Sequence, residues 1–243
     1  MNSKIISKDY IIYQMKIYCD SDRYYQLSND NTTNWIMFGL SVLTHVLLIG
    51  PAVYIISLSS KLTTSLFLWH PTCMSFGCGL LMTEAVLGIS GEFLLSTMLS
   101  RTNRIKLHWV LHVMGLTLMV VGFGTIMVNK NNNNASHFTS DHGRLGLSTF
   151  IISLIVALGG VLTLYAGLIS DRLSLASTKL IHGCGGIICI ILLFATLISG
   201  LYRWWPGSGL GRGLTITSYV FGALLVLLKP IYATSLKIRG FFT

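Results

Sequence analysis

Charge is what this chain has least of. Only 10% of its 243 residues are charged, with 8 acidic side chains against 17 lysines and arginines, where soluble domains carry roughly a quarter charged residues. With 52% hydrophobic residues and a mean hydropathy of +0.68, that shortage excludes a water-soluble globular domain and makes the chain an integral membrane protein. Cysteine is sparse as well. Cys73, Cys78, Cys184 and Cys189 fall inside apolar stretches and Cys19 in the polar N-terminal part, which reads as small packed side chains and not as a disulfide framework. No basic start runs directly into an apolar core and a small-residue cleavage site, so no removable signal peptide is expected and the first apolar run directs insertion. The basic residues form no continuous stripe, which argues against a nucleic-acid partner.

What is present is six apolar runs, each long enough to cross the hydrocarbon core as a helix. They lie near Trp35–Leu58, Leu68–Ile89, His108–Val128, His142–Ile169, Leu180–Leu201 and Thr215–Leu236. The expected fold is therefore an all-α membrane protein of six transmembrane helices over residues 35–240, preceded by a polar, cytosolic N-terminal tail over 1–34. The connections are short, so helices adjacent in sequence are expected to be antiparallel neighbours. Positive charge stays on the cytosolic side. Counting lysine and arginine on alternate sides gives twelve on the side of the tail (Lys4, Lys8, Lys16, Arg23, Arg101, Arg104, Lys106, Arg172, Lys179, Lys229, Lys237, Arg239) and five on the other (Lys61, Lys130, Arg144, Arg203, Arg212), so both termini are expected in the cytosol.

Four histidines, His70, His108, His142 and His182, each stand at the opening of a separate apolar run. Because consecutive spans start at opposite faces, His70 and His142 fall at the non-cytoplasmic face and His108 and His182 at the cytoplasmic one. Ionisable side chains inside a membrane are costly and mark functional sites. The separations are 38 positions from His70 to His108 and 40 from His142 to His182, so the second to fifth helices read as one hairpin used twice. A bundle binds cofactors between facing helices, and glycines beside these histidines let a flat ring approach the backbone. Structural zinc takes four protein ligands, whereas each face offers two imidazoles. Two bis-histidine haem sites are the better match, with the first and sixth helices peripheral. The absence of Cys-x-x-Cys-His means that any haem is held without thioether bonds.

Several motifs occur in an order that resembles the cytochrome b561 family. They are Trp69-His70-Pro71, Leu81-Met82-Thr83-Glu84-Ala85, Lys106-Leu107-His108-Trp109-Val110-Leu111, His137 five positions before His142-Gly143, and His182. Within that family the likeness is to the short transmembrane reductases of the cytochrome b561 domain-containing group, and it covers roughly residues 35–240. The resemblance implies a four-helix core over helices 2–5 with two non-covalent haem b groups, His70 and His142 on the non-cytoplasmic iron, His108 and His182 on the cytoplasmic iron. It also implies electron transfer from cytosolic ascorbate to monodehydroascorbate or a ferric chelate on the far side, in an endoplasmic reticulum or vesicle membrane. A homodimer is compatible with it.

Ascorbate is a monoanion, and Lys106 lies two positions before His108, where the resemblance implies substrate binding; Arg101, Arg104, Arg172 and Lys179 stand as helpers that raise the local anion concentration. The resemblance also assigns His137 a substrate contact in its loop. His112, one turn after His108, is expected to be structural, with contact to a propionate or substitution as a ligand as the other roles. His45 shows no partner in the sequence and reads as a buried, hydrogen-bonded core histidine. Glu84 is expected to pair with Arg104 or Lys106, or to take a proton as ascorbate is oxidised. Asp141, where close relatives carry a basic residue, and the Asn131–Asn134 run bear on the choice of acceptor. A function of another class, a haem-free histidine-lined transporter or proton relay, fits the same histidines and differs by lacking visible absorption bands.

The orientation is open to a direct check. Sequons occur at Asn31-Thr32-Thr33 and Asn134-Ala135-Ser136, and a glycan is added only on the lumenal side. Asn31 is expected to carry none, as read by mass spectrometry of the native protein before and after glycosidase treatment. A glycan on Asn31 would place His108 and His182 on the non-cytoplasmic side.

Overall fold

The computed structural model describes residues 31–61, 65–90, 99–169 and 174–242. Among these the chain is helical, with six spans long and apolar enough to cross a membrane. They are α1 (Asn31–Ser60), α2 (Leu66–Ser90), α3 (Arg101–Asn132), α4 (Asp141–Ile169), α5 (Leu175–Arg203) and α6 (Gly209–Phe242). Chain contacts divide the protein at Leu40/Ser41, and every residue of the site lies in the unit that begins at Ser41. The four cysteines among the described residues are free thiols; Cys19 lies outside them.

Three helices, α3, α5 and α6, start five or more residues earlier than the apolar pattern alone suggests, and the reason is capping by serine; at α6 the Ser208 hydroxyl accepts from the Gly211 amide at 3.0 Å. The Ser100 hydroxyl accepts from the Asn103 amide and the Ser174 hydroxyl from the Ser177 amide, satisfying amides that a helix start leaves without partners. Arg101, Arg104 and Lys106 therefore sit on the first turns of α3, not in a connection, and Lys179 sits on α5.

α2 is the most enclosed span: 67% of its apolar window is buried, against 11–33% for the others. It opens with a 3₁₀ turn, continues as α-helix over Trp69–Met74, widens to a π-helix over Ser75–Leu81 and returns to α-helix over Met82–Ser90. Pro71 falls in the first turn, where no amide partner is required. The wide turn is stabilised from within and without. Thr83 Oγ1 donates to the carbonyls of Gly79 and Leu80 at 2.9 and 2.8 Å, and the fully buried Ser75 and Tyr219 hydroxyls meet at 3.1 Å.

α2 packs along α3 and α4 along α5, and α6 lies on α5 and touches α2. α1 and α6 carry none of the four histidines of the core, yet each supplies fully buried side chains, Leu48 and Ala52 from α1, Tyr219 and Val226 from α6. Glu84 does not meet Arg104 or Lys106. Its Oε1 lies 2.7 Å from His45 Nδ1, with both side chains more than nine-tenths buried. Buried carboxylates require a partner, and α1 brings the imidazole to it while the basic residues of α3 stay at the helix end.

The α2–α3 contact depends on absent side chains. A Cβ on Gly115 would stand 2.5 Å from Met82 Cγ and 2.9 Å from the Gly77 carbonyl, whereas one on Gly124, on the same helix, meets nothing within 4 Å. Gly115→Ala is expected to cost about 1–3 kcal/mol through overpacking, and Gly124→Ala to be neutral or stabilising by up to about 1 kcal/mol through helix propensity. Thermal unfolding of the two variants in detergent measures the contrast.

Candidate functional site

The two hairpins bring the histidines together in the expected pairs. The His70 and His142 rings have centroids 6.1 Å apart and the His108 and His182 rings 6.3 Å apart, each pair nearly perpendicular. His108 and the residue facing His70, Gly122, are fourteen positions apart on α3, so the two pairs are separated by about 21 Å along that helix. They lie at its opposite ends.

Each ring is aimed by its helix partner. His70 Nδ1 donates to the Gly122 carbonyl and His108 Nδ1 to the Ala85 carbonyl, both at 2.9 Å. The crossing is reciprocal: α2 sends a histidine to α3 at one end and receives one at the other. Fifteen positions separate His70 from Ala85 and fourteen separate His108 from Gly122. The π segment between His70 and Ala85 accommodates the extra residue, since a π turn holds one residue more than an α turn. The α4–α5 hairpin is reciprocal in another way. A Cβ on Gly200 would stand 3.1 Å from His142 Cε1, and one on Gly160 would stand 3.1 Å from His182 Cε1. Each helix thus offers a histidine and, eighteen positions on, the glycine against which the other helix's ring rests.

This arrangement fits an iron held between two imidazoles. With metal–nitrogen bonds of about 2.0 Å and ring centres roughly 1.2 Å behind each nitrogen, such a site needs ring centres about 6.4 Å apart. An Nδ1 tied to a carbonyl leaves Nε2 with the lone pair that a metal requires. No group of three or more histidine, cysteine or carboxylate side chains that could hold a metal by themselves occurs among the described residues, so a closed zinc site is not what these pairs build. The His70–His142 pair lines a mainly apolar cavity of about 310 Å³ with Met74, Met119, Phe123 and Tyr219, a setting suited to a flat apolar ring.

The remaining candidates separate by end. Lys106 is exposed, Arg101, Arg104 and Lys179 are half-buried, and all four lie at the His108–His182 end of their helices; Arg172 lies outside the described residues. The charges of Arg101, Lys179 and Lys237 lie close enough to act on one another. Lys237, on α6, had no motif to mark it, because its helix carries no core histidine. His112 stacks edge-on against His108 with centroids 4.5 Å apart. At the other end, His137 Nε2 lies 2.7 Å from Asn131 Oδ1, and its ring lines the same cavity as His70 and His142. Lys130 Nζ donates to the Ser136 carbonyl at 2.6 Å and Arg144 Nε to the Phe138 carbonyl at 3.3 Å, which pins this loop to the ends of α3 and α4. A second, open cavity of about 610 Å³ is lined by Ser140, Asp141, His142, Ser199, Tyr202 and Arg203.

The profile of eukaryotic cytochrome b561 matches residues 69–206, the stretch that contains all four paired histidines. Among curated proteins the chain is 34% identical over 161 residues to the mouse (Mus musculus) transmembrane reductase CYB561D2, covering 66% of this chain and 72% of that protein. It is 35% identical over 161 residues, with the same coverage, to the Bos taurus protein of that name. It is 31% identical over 198 residues to the Homo sapiens probable transmembrane reductase CYB561D1, covering 80% of this chain and 86% of the relative. By profile and by these relatives, the chain belongs to the eukaryotic cytochrome b561 family of haem-b-binding transmembrane oxidoreductases.

Proposed function

We propose that the chain is an ascorbate-dependent transmembrane reductase with two haem b groups, one between His70 and His142 and one between His108 and His182. The observation that supports this most directly is the pair of ring separations, 6.1 and 6.3 Å. When bound, each haem supplies a reversible one-electron change at its iron. The His108–His182 end faces the cytosol, with the basic residues of α3 and α5 around its mouth, in an endoplasmic reticulum or vesicle membrane.

The chain's own groups handle the two substrates. On the cytosolic side, ascorbate monoanion gives up one electron and one proton and becomes monodehydroascorbate. Exposed Lys106, with Arg101, Arg104, Arg172 and Lys179 as helpers, concentrates the anion at the mouth, and water there takes the proton. On the far side the acceptor gains the electron: monodehydroascorbate takes a proton as well and becomes ascorbate, or a ferric chelate becomes ferrous. His137, beside the His70–His142 cavity, contacts the acceptor. In the interval the apolar walls of the cavity keep water from the rings.

Two measurements test this reading. Purified protein is expected to hold two haems per chain, and His70→Ala or His108→Ala to remove one each, because a haem with one axial ligand is weakly held. Haem content and the visible bands on reduction report it. Two haems with unchanged spectra in both variants would refute the ligand assignment, and no visible bands in the wild type would favour a haem-free transporter. Lys106→Ala is expected to slow reduction by ascorbate by about threefold to tenfold at low salt with haem content intact, and the gap to wild type is expected to narrow as salt screens the encounter. Stopped-flow reduction across a salt series measures both.

A further inference from the structure

Three of the four paired histidines have an Nδ1 partner among the described residues, and one of those partners differs in kind. His70 and His108 donate to backbone carbonyls, which no substitution removes. His182 Nδ1 is buried near the Val156 carbonyl without a well-formed hydrogen bond. His142 Nδ1 lies 3.0 Å from Ser199 Oγ, and that hydroxyl donates its own proton to the Thr196 carbonyl at 2.8 Å. With its proton committed to Thr196, the Ser199 oxygen can only accept from the ring. The chain of donors therefore runs from His142 Nδ1–H to Ser199 to Thr196, and it fixes the tautomer with the lone pair on Nε2. The next residue of α5, Gly200, lets the ring lie close to the helix: a Cβ there would come within 3.1 Å of His142 Cε1.

From this geometry we infer that Ser199 is a positioning residue for His142 and sets the reduction potential of the haem that His70 and His142 hold, and with it the driving force toward the acceptor. The inference rests on the haem reading above. An imidazole whose Nδ1–H is hydrogen-bonded is a more basic ligand and stabilises the ferric state. Removing the acceptor makes the ring a poorer donor and favours the ferrous state. Ser199 also lines the open cavity with Asp141 and Arg203, so the tuning group stands where an acceptor would approach. No motif of the sequence marks it, and among the described residues His142 is the proposed ligand whose Nδ1 meets a side-chain hydroxyl.

The test is a redox titration of purified wild type, Ser199→Ala and Ser199→Thr, with haem content and the low-temperature electron paramagnetic resonance of the ferric haems recorded on the same samples. In Ser199→Ala two haems are retained, one of the two midpoints rises and the other stays. At a potential fixed on the wild-type midpoint, the reduced-to-oxidised ratio of the shifted haem increases about threefold, which is roughly 30 mV at 59 mV per tenfold for one electron. Its ferric resonance moves as well, and Ser199→Thr, which keeps the hydroxyl, restores both values. Loss of that haem alone in Ser199→Ala, with retention in Ser199→Thr, also supports the role. Unchanged midpoints and resonances in Ser199→Ala, equal shifts of both haems, or no recovery with threonine would overturn it while leaving the haem reading intact. Wild-type protein without haem would instead overturn the reading on which it rests.

Discussion

An imidazole inside a membrane turns Nε2 to a facing ring most readily when something else holds its Nδ1, and at His70 and His108 that need shapes how α2 and α3 pair. Water is not available in the hydrocarbon region to take the Nδ1 proton, so an unsatisfied N–H there is costly. At His70 and His108 the partner helix supplies a backbone carbonyl. A carbonyl in a helix already accepts one bond, and a side chain of another helix reaches its remaining capacity only where the two helices pack closely. The close approach of α2 and α3 at Gly77 and Gly115 is thus tied to the aim of the histidines. So is the π segment of α2, whose additional residue keeps Ala85 in step with His108 while Gly122 stays in step with His70.

The same economy governs the scarce charge. Glu84 is the only acidic residue in the interior of a described span, and its partner is His45 of α1. A carboxylate with several cations within a few turns on α3 finds an imidazole from a different helix, because those cations reside at the helix end and the carboxylate does not. The pair ties α1 to α2 one residue before Ala85, the carbonyl that holds His108. An element without any core histidine is thereby anchored next to one end of the site.

Much of this was legible in the sequence. Six spans follow from unbroken apolar runs, and the histidine pairing follows from alternation of direction, since both depend only on counting along the chain. What was hidden depends on partners that carry no signature. The carbonyls of Gly122 and Ala85 look like any others; the π turn has no composition that distinguishes it from α-helix; and Ser199 is one hydroxyl among many in apolar helices. Glu84 pairs with His45 and not with Arg104 or Lys106, because all three lie toward one end of the bundle but only the α1 imidazole reaches its depth, which the sequence does not display. The starts of α3, α5 and α6 precede their apolar runs because Ser100, Ser174 and Ser208 cap turns that the apolar pattern does not reach.

The reciprocal packing of α4 and α5 has a consequence for the two ends. His142 rests on Gly200 as His182 rests on Gly160, so a half-turn about an axis between the helices carries each backbone cradle onto the other. A scaffold with that internal equivalence treats both ends alike, and by itself it provides no preferred direction for an electron. On the proposed two-haem reading, directionality is then written in the side chains that break the equivalence, such as Ser199 at one end where Gly159 stands at the other. Two ends that share a backbone plan can drift apart in redox character through single substitutions, without any change in the fold that joins them.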